Sequence, residues 1–369
     1  MKKIKILFLI STIDVGGAEV LLLNLCRGLL EKDKNFEIKV LTYFEGNALK
    51  SDFDKIGVQI LCLNLPKASS IQNICRKLLL TYYNIMKYKP DVVHTQLLDT
   101  DRYGQIASFF AGVKKRFCTV HNIEINETFG FRVTRYITGL FATKIIFVAK
   151  CAMDHYCLIN SYPSKKCSVI NNAPGFRDQN FLPKSFDPLK KNIRIVNVAR
   201  LHPQKGQYYL IKAMKLLENM SSYTFELELF GRDYEMYKSL LENELARSEI
   251  KNVFFKGVTN DVISVLKNAD IFISSSIYEA APLVILEAIT VGIPIIATDI
   301  PPHREILESV KDYNLFVPVE DPVAISQAVI NLVNNPKYYS EISERLICRS
   351  KDFSQEKLID NYHNLYLLQ

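Results

Sequence analysis

The stretch Arg194-Ile195-Val196-Asn197-Val198-Ala199-Arg200-Leu201-His202-Pro203-Gln204-Lys205-Gly206, running on helically to Glu218, decides how this chain reads. Its first six residues form a short, largely apolar run without strict alternation. Such a run suits a strand covered on both faces. A turn with Pro and Gly follows, and then apolar residues at helical spacing. Strand, tight turn and helix make half of a βαβ unit, the building block of a parallel sheet. Arg200 and Lys205 flank the turn where the helix begins. Two cations beside a helix N-terminus at a strand's carboxyl end make an anion site, and a diphosphate fits that chemistry. A solvated basic turn is the alternative.

The same unit recurs along the chain. Candidate strands precede it at Ile4–Ile10, Ile38–Tyr43, Gln59–Leu63, Val92–Thr95, Arg116–Val120, Lys144–Val148 and Cys167–Ile170. Others follow at Thr224–Phe230, Val253–Lys256, Ile271–Ser275, Ile295–Ala297 and Asn314–Val317. Helical segments at Ala18–Leu30, Gly206–Glu218, Tyr234–Arg247, Val262–Asn268 and Pro282–Val291 fall between them. This alternation predicts two doubly wound α/β domains in tandem. Residues 181–192 lie in a stretch with two prolines and no periodicity and are the expected linker. The domains are then 1–180 and 193–351. A closing helical segment lies in 352–369, with Leu358, Ile359, Tyr362, Leu365 and Tyr366 apolar.

Composition agrees. A chain of 369 residues with 48% apolar residues is globular and long enough for two cores. No uncharged apolar stretch approaches the ~18 residues of a membrane span. The run Ile6–Ile10 is too short for a signal-peptide core, so the N-terminus reads as a buried strand. Eight cysteines without a C-x-x-C pair read as reduced, small hydrophobes of a cytosolic protein. The net charge of +7 is uneven: residues 1–175 carry 24 basic and 14 acidic side chains, the remainder 22 and 25. A basic first half suits an anionic membrane or substrate.

Four further stretches carry polar groups where a ligand could use them. Gly16 and Gly17 lie in Asp14-Val15-Gly16-Gly17-Ala18-Glu19, between the first strand and first helix. They allow a tight turn and close approach to an anion, or simply a tight turn. The third glycine of a dinucleotide fingerprint is missing. His121 ends a strand in Thr119-Val120-His121-Asn122, at a cleft-facing edge or in a structural role. His94 ends another strand and reads the same way. In Ser276-Ile277-Tyr278-Glu279-Ala280-Ala281-Pro282-Leu283-Val284-Ile285-Leu286-Glu287, Pro282 suits a helix start. Glu279 then precedes the helix, as a cap or a ligand contact. Glu287 sits on an apolar helix and needs a partner, either ribose hydroxyls or a core Arg. Asp99-Thr100-Asp101 has the look of a metal motif, but no further acidic ligand lies nearby, and no metal site is expected.

Together these residues resemble a family. Gly16-Gly17-Ala18-Glu19, His121-Asn122, Ala199 to Gly206, Phe230-Gly231-Arg232-Asp233, the spacing of Glu279 and Glu287, and Gly292 to Asp299 occur in the order of the family-4 glycosyltransferases of the GT-B fold. The resemblance spans nearly the whole chain, including the closing Phe353-Ser354-Gln355-Glu356-Lys357 helix. It implies two Rossmann-like domains facing across a cleft, with the last helix returning to the first domain. That domain would bind the acceptor, and the second a nucleotide sugar.

By motif, Arg200 and Lys205 would grip the donor diphosphate and Glu287 the ribose. Glu279 would contact the transferred sugar, with backbone N–H groups around Ala281, Leu283 and Val284. Gly16 and Gly17 would close over the diphosphate, and His121 would position the sugar. Gly231, Arg232, Gly257 and Val258 would line the base. The reaction implied is retaining transfer of a hexosyl or N-acetylhexosaminyl group, from a UDP-sugar first and GDP-mannose next. The acceptor would be a glycan or lipid-linked sugar in O-antigen, capsule or lipopolysaccharide synthesis. The resemblance implies no cofactor and no metal. A nucleotide-sugar epimerase of the same fold and a non-catalytic binding scaffold are the rivals. Two departures touch the donor pocket: Ala280-Ala281 follows Glu279, and Ile300 to Glu305 replaces a usual Gly-Gly loop. The protein is expected in the cytoplasm, peripheral at the inner face of the membrane. Residues 71–89 support this, with apolar positions 71, 74, 78, 82 and 85 flanked by Arg76, Lys77, Lys87 and Lys89. Lys114-Lys115-Arg116, Arg132 and Arg135 add charge. Nucleic acid is not an expected partner, because the basic residues are dispersed and no binding motif is evident.

Overall fold

The computed structural model describes residues 3–14, 16–66, 70–123, 128–159, 162–175 and 180–367. The chain divides into two compact units. One is Met1–Phe176 with Gln355–Gln369, and the other is Arg177–Ser354.

The first unit holds β1 (Ile4–Ile10), β2 (Phe36–Thr42), β3 (Gln59–Cys62), β4 (Val92–Gln96), β5 (Lys115–Val120), β6 (Lys144–Phe147) and β7 (Cys167–Val169). They form a sheet in the order β3-β2-β1-β4-β5-β6-β7, and every pairing is parallel. The second unit holds β8 (Asn192–Val198), β9 (Thr224–Phe230), β10 (Val253–Gly257), β11 (Ile271–Ser274), β12 (Ile295–Thr298) and β13 (Phe316–Val317). Their order is β10-β9-β8-β11-β12-β13, again all parallel. All thirteen strands among the described residues match the sequence expectation, with ends moved by no more than two residues. Continuous apolar runs such as Ile6–Ile10 are buried throughout because helices cover both faces. Each sheet reverses its strand order once, at β1/β4 and at β8/β11. The carboxyl ends of strands at such a reversal are the usual ligand position in sheets of this kind.

The closing helix, Gln355–Leu367, belongs to the first unit. Its Tyr362 and Tyr366 are buried. The Tyr366 hydroxyl meets His94 Nδ1 at 2.6 Å, and His94 Nε2 meets Thr119 Oγ1 at 2.7 Å. Tyr362 reaches the same Thr119 hydroxyl at 3.3 Å. Both ring nitrogens of His94 are thus satisfied inside the core. Burial lowers its pKa to about 3, so it stays neutral. His94 is a structural residue that fastens the last helix to β4 and β5.

Two expectations change. Residues 181–192 are not a free tether. Phe186 is buried in the second unit's core, and the Lys184 N–H donates to Ser343 Oγ at 2.7 Å. Lys184 Nζ also donates to the carbonyls of Leu266, Lys267 and Ala269, ending the helix Val262–Lys267. Prolines and lost periodicity report irregular backbone, not absent packing. Phe353 likewise lies in the second unit's core, so the crossing comes after Ser354 rather than at 352. The second change concerns the helix Ile71–Tyr88, which buries Lys77, Thr81, Ile85 and Tyr88. Of the five apolar positions read as one stripe, Ile85 is buried while Ile71 and Tyr82 are exposed. Lys77 faces inward because its ammonium sits over the Phe44 and Tyr103 rings, at 5.2 and 5.5 Å.

Candidate active site

In the second unit, three loops leave the carboxyl ends of β8, β9 and β11 and lock together. The β8 loop ends in a short helical turn, Pro203–Lys205, closed by Gly206. Gly206 has φ +66°, and a Cβ there would lie 2.0 Å from the Ser275 carbonyl oxygen. Only glycine allows this approach of the β8 turn to the β11 loop. The two loops are then stitched by Ser275 Oγ to Lys205 O at 2.8 Å, Ile277 N to Gln204 O at 2.7 Å and Gln204 Nε2 to Tyr278 O at 2.8 Å. The β9 loop is fixed in the same way. A Cβ on Gly231 would lie 1.9 Å from the Ala199 carbonyl oxygen, and Leu201 N donates to Arg232 O at 2.9 Å.

These contacts bring Lys205 to Glu279, where they form an ion pair with side chains only 15% and 12% exposed. Ser276 Oγ donates to the same Glu279 oxygen at 2.8 Å. Arg200 is different. Its side chain is exposed and its guanidinium lies 5.7 Å over the Tyr234 ring. The two cations read as a pair in the sequence are therefore one neutralised and one open. Glu287 lies half-buried on the helix Leu283–Thr290, which starts after Pro282. Ala281, Leu283 and Val284 are half-buried at that helix start. Arg232 and Val258 are exposed on neighbouring loops, and Gly257 ends β10 with φ +72°.

Sequence reasoning missed three supports of this cluster. Ser276 holds Glu279, as above. His303 is fully buried between β11 and β12, with Nδ1 2.8 Å from Thr298 O and Nε2 3.3 Å from Ser274 Oγ. Burial lowers its pKa to about 4, so it is a neutral strut. Gln207, also buried, donates to Arg200 O at 2.9 Å and steadies that loop. The only sequence signal for His303 was its place in the loop that lacks Gly-Gly.

In the first unit, Gly16 caps the helix Gly17–Lys32, and Val15 lies outside the described residues. Glu19 sits in the first helical turn, where burial chiefly, and nearby Asp14, raise its pKa. That helix start already holds carboxylates. His121 follows β5 with Nε2 2.6 Å from Gln96 Oε1, at the end of β4. Loss of hydration lowers its pKa to about 4, so it offers a neutral imidazole. Next to Gln96, Leu97 holds φ +76°, a strained conformation for a non-glycine residue. Asp99 and Asp101 part company: Asp99 is exposed, while Asp101 is buried and accepts a hydrogen bond from Thr95 Oγ1.

Residues 178–347 match the family model "Glycosyl transferases group 1", and residues 15–173 match "Glycosyltransferase Family 4". The chain is a family-4 glycosyltransferase of the GT-B fold. An Escherichia coli relative of this glycosyltransferase, UDP-Gal:alpha-D-GlcNAc-diphosphoundecaprenol alpha-1,3-galactosyltransferase, is 27% identical, the match covering 84% of this chain and 82% of that protein. The Staphylococcus aureus capsular polysaccharide biosynthesis glycosyltransferase CapH is 24% identical, covering 95% and 93%. Among solved structures, Anabaena HepE in complex with UDP and glucose superposes on the glycosyltransferase with a TM-score of 0.80, at 20% identity and 98% coverage of both chains.

Proposed function

We propose that this glycosyltransferase moves a hexosyl or N-acetylhexosaminyl group from a nucleoside diphosphate sugar, UDP-linked before GDP-linked, to a glycan or lipid-linked acceptor of the cell envelope, with retention at the anomeric carbon. The observation that carries this reading is the interlocked Lys205–Glu279–Ser276 cluster beside open Arg200, at the strand-order reversal of the second unit. The UDP-Gal named in the Escherichia coli relative and the UDP bound to HepE support the donor class.

In this reading Arg200 meets the diphosphate first, because it is the open cation. Lys205 then exchanges its carboxylate partner for a phosphate oxygen. Glu279, released toward the sugar, accepts hydrogen bonds from its hydroxyls. Glu287 takes the ribose hydroxyls, and N–H groups around Leu283 and Val284 add donors at a helix start. Arg232, Gly231, Gly257 and Val258 border the base. Gly16 and Gly17 offer backbone N–H groups, and neutral His121 a hydrogen-bonding imidazole.

The anomeric carbon–oxygen bond breaks with its electron pair leaving on the diphosphate. The acceptor oxygen forms the new bond on the same face, and its proton passes to the departing phosphate. Fixed cations aimed at the growing charge supply the main stabilisation. They take the part a metal would take, so no metal or other cofactor enters this reaction. The protein acts in the cytoplasm, peripherally at the inner membrane face. Nucleic acid is no partner.

A thermal-shift series with UDP- and GDP-sugars tests the donor. A true donor at a hundredfold its Kd stabilises by about 2.7 kcal/mol. Lys205→Ala should remove both that shift and turnover, and EDTA should leave turnover intact. Near-wild-type transfer by Lys205→Ala would discard the site assignment.

A further inference from the structure

The first unit turns outward a face that the proposed transfer does not use. Helices Ile71–Tyr88, Leu98–Phe110 and Phe129–Phe141 pack side by side in that order. The inner sides of the first two are conventional, with Ile85, Tyr88, Tyr103 and Ala107 joining Leu7 and Leu9 in the core, whereas Phe129–Phe141 buries Thr134, Arg135, Thr138 and Gly139. Their outer sides also carry many apolar residues, with Asp99 the exposed acid, at the start of the middle helix. On Phe129–Phe141, exposed Phe129, Val133, Tyr136 and Leu140 recur at i, i+4, i+7 and i+11. That spacing is one continuous ridge on a helix. Phe129 is 82% exposed and Tyr136 64%. On Ile71–Tyr88, the exposed apolar residues are Ile71, Leu79, Tyr82, Tyr83 and Met86. Between the two helices, Phe109, Phe110 and Phe141 cluster with ring centroids 5.0–6.4 Å apart, and Phe110 is 68% exposed. A solvated helix normally wets its outer side, and apolar patches of this extent mark a surface that is covered in use.

Charge identifies the covering. Neither Ile71–Tyr88 nor Phe129–Phe141 contains a single Asp or Glu. Arg76, Lys87 and Arg132 are exposed on these two helices, and Lys89 and Lys114 are exposed just beyond helix ends. A second copy of the chain would bring the same cations against themselves. Among the described residues no helix is long and apolar enough to cross a membrane, so such a face can lie on a bilayer but not span it. We propose that this three-helix face docks on an anionic lipid bilayer, with Phe129, Tyr136 and Leu140 in the headgroup layer and the cations on lipid phosphates. Aromatic rings favour that layer, and each cation adds to the attraction. The inference rests on the peripheral reading above and assigns its surface.

The test is co-sedimentation of the full chain with phosphatidylcholine vesicles, with and without about 30 mol % phosphatidylglycerol. Wild type should bind the anionic vesicles and lose about fivefold or more in partitioning between 0.1 and 0.5 M NaCl. The variant Phe129→Ser/Tyr136→Ser should bind about tenfold more weakly or worse. Arg132→Glu/Lys87→Glu should also weaken binding. Leu189→Ser, on the second unit, should not. Circular dichroism checks that each variant is folded. Failure of wild type to bind either vesicle overturns both this inference and the peripheral reading. Wild-type binding that both face variants retain overturns only the assigned surface. A dimer in light scattering that Phe129→Ser/Tyr136→Ser dissolves, without vesicle binding, replaces the bilayer by a second copy.

Discussion

Gly206→Ala isolates the link between backbone geometry and the Lys205–Glu279 cluster. Gly206 holds φ +66°, where an L-residue is strained by about 1–2 kcal/mol. The new Cβ would also sit 2.0 Å from Ser275 O, whereas real Cβ contacts essentially never fall under 3.0 Å. The turn must therefore retreat by about 1 Å, because its obstacle is backbone and cannot rotate away. That retreat stretches Ser275 Oγ to Lys205 O and Ile277 N to Gln204 O, now 2.8 and 2.7 Å, out of hydrogen-bond range. Two lost hydrogen bonds add about 1–3 kcal/mol. The sum, about 2–5 kcal/mol, lowers Tm by roughly 5–15 °C. A 1 Å displacement of a reacting group costs about a hundredfold in rate. Gly112→Ala is the matched control. It has φ +74° in open space, so it carries the strain without the collision. Differential scanning fluorimetry and steady-state transfer from the best UDP-sugar would compare the two. If Gly206→Ala matched Gly112→Ala in Tm and kept wild-type kcat/KM, steric coupling of the two loops would be refuted.

Other perturbations address charge and pH. Glu279→Gln leaves Lys205 without its anionic partner in a site with little exposure but keeps an acceptor oxygen, which costs about 1–3 kcal/mol in the free protein. UDP should repair that loss, so calorimetry should find the larger UDP-induced Tm shift in the variant, together with much slower transfer. His94 has a folded pKa of about 3 against 6.5 unfolded, so the unfolded chain takes the proton first as pH falls. His94 should therefore contribute a loss of about 2 kcal/mol between pH 7 and pH 5, beside those of His121 and His303, and His94→Gln should lower the slope in urea titrations by that share without abolishing it. Asp101 has the opposite sign. Burial, more than Thr95 and Arg135 can offset, raises its pKa to about 7, so the fold favours the neutral acid and loses stability as pH rises from about 4 to 7. Asp101→Asn should gain about 4 °C or more in Tm relative to wild type at pH 8 and little at pH 4.

The strands were legible because each buried parallel strand writes its own signature, a short apolar run between turn residues. Ile4–Ile10 and Thr224–Phe230 were read to the residue. Gly206 and Gly231 were legible as turns, but not as the points where two loops nearly touch. The exposed ridge Phe129-Val133-Tyr136-Leu140 was not anticipated, because periodicity measures amphipathicity along one helix and does not say which side meets the core.

The sequence by itself therefore determined the two α/β sheets, the loops at their carboxyl ends and the residue types those loops present. Those features are local: period, turn chemistry and motif order within a few tens of residues. Tertiary structure decided the rest. It paired Lys205 with Glu279 across 74 positions while leaving Arg200 open. It turned His94 into a clamp for Tyr366, 272 positions away. It buried Lys77 while exposing Phe129. Each outcome depends on which side chains arrive at one place from distant parts of the chain. Their burial and charge exist only once both partners are packed.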